Sequence, residues 1–66
     1  MNLTVNGTPQ TLPERMTLAE LMVRENAASR GSAAAVDGVV VPRRSWEAFM
    51  LSDGSSVEVL TAVQGG

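Results

Sequence analysis

Cysteine, histidine, lysine and tyrosine are all missing from this 66-residue chain. Without Cys there is no disulfide framework, and nothing points to an oxidising compartment. Without Cys, His, Lys or Tyr the most familiar nucleophilic, acid–base and metal-binding side chains are gone. All five basic residues are Arg, which stays protonated and makes a poor general base. Asp, Glu, Ser and Thr remain, but none stands in a recognisable catalytic spacing. The expectation is a chain acted upon, with no catalytic residues of its own.

Other scarcities narrow the field further. The aromatics are Trp46 and Phe49 alone, and the net charge is −2. Nucleic-acid binding needs a basic footprint, and the single pair Arg43-Arg44 does not make one. Two readings of that pair stay open: a solvated loop, or a contact to an acidic patch on a protein partner. No segment approaches membrane-spanning length, and no basic stretch followed by an apolar run opens the chain. A cytoplasmic location is the default expectation.

What is present reads as one small α+β domain. Met1-Asn2-Leu3-Thr4-Val5 alternates strictly and predicts a half-buried strand. Asn6-Gly7 is the favoured pair for a two-residue type I′ turn, so residues 8–12 should return antiparallel, with Pro9 at a position that does not donate to the ladder. Thr17-Leu18-Ala19-Glu20 is a capping box that opens a helix. Met16 and Leu21 fit a hydrophobic staple around it. Leu18, Leu21 and Met22 form the apolar face of that helix, which should fray between Asn26 and Gly31.

Beyond the helix, residues 33–36 predict a strand, Asp37-Gly38 a second hairpin turn, and Val39-Val40-Val41 a short strand ended by Pro42. Residues 43–56 look irregular, with one helical turn around residues 45–48 and Trp46, Phe49 and Leu51 closing one end of the core. Ser52-Asp53-Gly54-Ser55 is a turn by composition. Residues 57–63 predict the last strand. The helix then serves as a right-handed crossover, and the simplest sheet sets the first and last strands side by side and parallel. This is a β-grasp arrangement: a mixed four- or five-stranded sheet with one helix across one face.

The division expected is a domain over residues 1–63 and a flexible tail over residues 64–66. The tail, Gln64-Gly65-Gly66, is a thin backbone thread because two of its residues lack a Cβ. It would project about 10 Å at ~3.3–3.6 Å per residue, far enough to carry a terminal carboxylate into a narrow enzyme channel. On the last strand, Val57 and Val59 suit the helix side, which leaves Glu58, Leu60 and Ala62 outside. Leu60 and Ala62 are therefore candidates for a docking surface that guides the tail, joined by Val63, whose face the pattern leaves open, and by Arg43 and Arg44.

At this point the residues resemble a known family. Residues 1–7, residues 17–21, Val36-Asp37-Gly38 through Val41-Pro42-Arg43 with Trp46, and Leu51-Ser52-Asp53-Gly54 through Thr61-Ala62-Val63-Gln64-Gly65-Gly66 are similar to the bacterial ThiS family of sulfur carriers. These carriers are ubiquitin-like proteins of thiamine biosynthesis. The resemblance implies that Gly66 is the modified residue. A ThiF-like adenylating enzyme would join its carboxylate to AMP from ATP. Sulfur from a cysteine desulfurase pathway would then displace AMP and leave a thiocarboxylate, which thiazole synthase ThiG would consume. ATP and Mg²⁺ would belong to the adenylating enzyme, with no cofactor bound by this chain, which would be a monomer when free.

Three rivals stand beside that reading. The small subunit of molybdopterin synthase also carries sulfur on a terminal Gly-Gly, although this chain is short for that family. A ubiquitin-like modifier would use Gly66 to form an isopeptide bond with a target lysine. A β-grasp interaction or RNA-binding domain would carry the tail incidentally, although acidic charge and few aromatics speak against RNA.

Overall fold

The computed structural model describes residues 1–61. Five strands form one mixed sheet: β1 (Asn2–Val5), β2 (Thr8–Thr11), β3 (Ala33–Val36), β4 (Val39–Val40) and β5 (Ser56–Leu60), in the order β2-β1-β5-β3-β4. The helix α1 (Leu18–Arg24) packs on one face. The alternation in the first seven residues produces the expected hairpin, with Asn2 opposite Thr11 and Val5 opposite Thr8. Asn6 and Gly7 both take positive φ, 51° and 81°, as a type I′ turn requires. β1 and β5 run parallel at the centre of the sheet, and β3 runs antiparallel to β5. The fold is the α+β, ubiquitin-like β-grasp that the order of elements predicts.

The start of α1 follows from its sequence directly. The Thr17 hydroxyl accepts from the Glu20 amide at 3.1 Å, and the Glu20 carboxylate accepts from the Thr17 amide at 2.9 Å. Those bonds satisfy donors that the first helical turn leaves unpaired. The Thr17 amide, and after it the Thr17 hydroxyl donating to Glu20 Oε1 at 3.0 Å, hold the Glu20 carboxyl below its ordinary value.

The end of the helix differs from expectation. It stops at Arg24 instead of fraying through to Gly31, because Asn26 adopts φ 59°. Its amide donates to Val23, and the amide of Ala27 donates to Met22 at 2.7 Å. This is a Schellman closure with Asn in the left-handed position. Ala27 is then buried beneath it.

The core lies between α1 and the inner sheet face. Leu18, Leu21, Met22 and Val57 are fully buried, with Leu3, Val5, Ala34, Val36 and Val59 around them. Each such side chain of Val, Leu or Met size contributes about 1.5–3 kcal/mol by leaving water. Trp46 and Leu51 close one end as expected, and Phe49 packs half-buried against them. A 3₁₀ turn over Arg43–Ser45 precedes the predicted turn at residues 45–48, which the Ala48 amide closes on the Ser45 carbonyl at 3.2 Å. Pro42 sets the entry of the 3₁₀ turn, and the Trp46 indole N–H donates to the Val41 carbonyl at 2.9 Å. Among the described residues no helix is long and apolar enough to cross a membrane.

Candidate functional site

The site has two parts, the exit of β5 towards the C-terminus and the outer face of the sheet beside it. β5 alternates as predicted: Val57 and Val59 face the core, while Glu58 and Leu60 are exposed. The strand itself ends at Leu60, and Thr61, predicted to belong to it, lies outside the sheet. Ala62, Val63, Gln64, Gly65 and Gly66 lie outside the described residues, and so does the expected boundary between domain and tail.

Leu60 does not stand alone on the surface. It borders a shallow depression of about 80 Å³ together with Ala33, Ala34, Ala35, Val40 and Glu58. The physical cause is strand order. β3 lies between β5 and β4, and its outer positions Ala33 and Ala35 carry only methyl groups, so the sheet surface dips between the larger side chains of Leu60 and Val40. Leu60 is 68% exposed and Val40 72%. One carboxylate, Glu58, stands on the rim. The arrangement suits an apolar side chain of a partner with a cationic neighbour. Val40 and the two alanines escape notice in the sequence because alternation assigns faces but not which strands adjoin.

The arginine pair separates into two roles. The Arg43 guanidinium donates to the carbonyl of Ser29 at 3.0 Å and to the carbonyl of Ala28, and it lies 4.9 Å from the Trp46 ring centroid. It ties the loop after α1 to the 3₁₀ turn while remaining exposed. Arg44 is exposed beside it. Neither lines the depression beside Leu60.

A further contact at β5 is absent from the sequence-based expectations. The Asn6 side chain accepts from the Val59 amide at 2.8 Å and donates to the Val59 carbonyl at 3.1 Å. A hairpin-turn residue thereby holds the strand that leads to the C-terminus.

Comparison with known proteins agrees with this geometry. The family model described as the ThiS family matches residues 3–66. The crystal structure of thiamine biosynthesis protein ThiS from Geobacter metallireducens superposes with a TM-score of 0.81 at 35% identity, covering the whole of both chains. The NMR solution structure of a thiamine biosynthesis protein from the same organism gives 0.84 at 35% identity, covering all of this chain and 88% of the other. No curated protein sequence matches the chain significantly. With its five-stranded sheet, single helix and a family match running through both final glycines, the chain belongs to the ThiS family of sulfur carriers.

Proposed function

We propose that this chain delivers sulfur for the thiazole moiety of thiamine, carried on the carboxylate of Gly66. The observation that carries the reading is the extent of the family match, which takes in the Val63-Gln64-Gly65-Gly66 ending. Both similar structures are of a protein named for thiamine biosynthesis. A carboxylate is a poor electrophile, so it must be activated first. Attack on the α-phosphate of ATP releases pyrophosphate and leaves an acyl adenylate, whose AMP is a good leaving group. A persulfide from a cysteine desulfurase pathway displaces AMP to give an acyl disulfide. A thiol of the sulfur donor then cleaves the S–S bond and is itself oxidised to a disulfide, and the thiocarboxylate released passes its sulfur to a thiazole synthase of the ThiG kind.

In this reading the protein is a substrate of a ThiF-like adenylating enzyme and binds no cofactor itself. ATP and Mg²⁺ are held by that enzyme. The outer face around Leu60, Val40, Ala33 and Ala35 docks on it, next to the point where the strand gives way to the tail, with Ala62 and Val63 continuing the contact. A cytoplasmic location and a monomeric free state belong to the same proposal. The absence of Lys fits it as well, because an activated Gly66 meets no side-chain amine on its own chain.

Incubation with ATP, the adenylating enzyme and a sulfur source is expected to replace one terminal oxygen by sulfur, read by intact-mass spectrometry. An unchanged mass, with the chain instead amide-linked to lysines of other proteins, would establish a modifier. A requirement for molybdenum cofactor rather than thiamine after deletion would move the carrier to molybdopterin synthesis.

A further inference from the structure

The edge between β1 and β5 is shorter than β5 itself. The parallel pairing covers Thr4 with Ser56 and Val5 with Val57, and the Asn6 amide still donates to the Val57 carbonyl at 2.8 Å. There β1 turns away, since Asn6 and Gly7 enter the hairpin at positive φ. The backbone amide and carbonyl of Val59 face the side that β1 has left. An unpaired strand edge at that place would leave both groups without a protein partner.

The Asn6 side chain fills this gap. Its Oδ1 accepts from the Val59 amide at 2.8 Å and its Nδ2 donates to the Val59 carbonyl at 3.1 Å. The pair of bonds repeats what a further ladder residue would do. It also assigns the amide orientation, because an N–H needs the oxygen and a carbonyl needs the nitrogen. On the opposite side, Ala33 pairs with Leu60 and Ala34 with Val59. The end of β5 is thus held from both sides, one by a strand and one by a single side chain.

We propose that Asn6 is a positioning residue: it fixes the direction in which the segment after Leu60 leaves the sheet towards the adenylating enzyme. This rests on the reading of Gly66 as the activated group. A strand end held only by β3 pivots about that one ladder, so the direction of the backbone at Leu60 and Thr61 is set less narrowly. Productive placement of a reacting group depends steeply on such freedom. A hairpin residue 53 positions before Val59 in sequence therefore bears on the reaction without touching it.

Two variants isolate the effect. Asn6→Gly keeps the positive φ and removes the amide, and Asn6→Asp keeps the acceptor but loses the donor. Hydrogen exchange by NMR on the free protein compares the Val59 amide with those of Thr4 and Val41, which donate to Ser55 and Ala34. In Asn6→Gly the Val59 amide should exchange roughly ten- to a hundredfold faster relative to those two. The kcat/KM for ATP-dependent adenylation, measured where every variant is folded, should fall roughly three- to tenfold.

An unchanged relative rate at Val59 overturns the clamp. Selective deprotection with unaltered kcat/KM overturns the positioning role, since a merely structural contact would behave in that way. A wild-type chain that is never adenylated fails differently: it removes the reading of Gly66, and the positioning role with it.

Discussion

The two hairpin turns look interchangeable in sequence and are not. Asn6-Gly7 and Asp37-Gly38 both adopt positive φ at each position, 51° and 81° in the first, 50° and 83° in the second. Both lend a side chain to the central strand β5, at opposite ends and from opposite sides. Asp37 Oδ1 accepts from the Ser56 amide at 2.8 Å, where β5 begins. Asn6 accepts from and donates to Val59, where β5 ends. A carboxylate only accepts, whereas a carboxamide has both a donor and an acceptor. Asp is sufficient where a lone N–H must be met. Asn is required where an N–H and a carbonyl face the same gap.

The sharpest way to break that contrast is to exchange the chemistry. Asn6→Asp should cost about 2 kcal/mol, because it removes the donor and sets a carboxylate against the Val59 carbonyl. Asp37→Asn should cost less than about 1 kcal/mol, because the amide oxygen still accepts from Ser56. Urea denaturation of the two variants checks this, and equal losses would mean the turns are equivalent after all.

A third substitution separates holding the strand from using its surface. Leu60→Arg touches neither turn, so stability should stay within about 0.5 kcal/mol of wild type. The kcat/KM for adenylation should nevertheless fall, as a charge fills the depression between Leu60 and Val40. A loss of stability as large as that of Asn6→Asp would show that Leu60 is structural.

The smallest effect belongs to a contact made within one turn of chain. Glu20 has its pKa lowered mainly by the Thr17 backbone bond, so its contribution is present above the ordinary glutamate value. It is lost as pH falls through the lowered one. The stability gap between wild type and Glu20→Gln should therefore be largest near neutral pH and shrink in acid. Thermal unfolding at several pH values checks it, and a gap that widens in acid would reverse the assignment.

Legibility followed the distance over which each signal acts. The Thr17–Glu20 box, both Xxx-Gly turns and the alternation of β1 and β5 are encoded within a few residues, and each forms where expected. The end of α1 was less legible. The pattern predicts fraying between Asn26 and Gly31, yet Asn26 itself closes the helix through a left-handed conformation that Asn tolerates without advertising. Arg43 shows the same limit from the other side. A run of two arginines reads as solvent or partner contact, and only the approach of Ala28 and Ser29 supplies the carbonyls that one of them binds.

The sequence by itself determined the β-grasp order of elements, the inner and outer faces of β5, and a Gly65-Gly66 pair on a chain with no Cys thiol or Lys amine. Those depend on local periodicity, turn chemistry and composition. Tertiary structure alone decided that Ala33, Ala35 and Val40 join Leu60 in one depression, and that Asn6 completes the edge of Val59. Both depend on which strands become neighbours, and that choice is made by burying one shared core between the sheet and α1, a condition no short window of sequence contains.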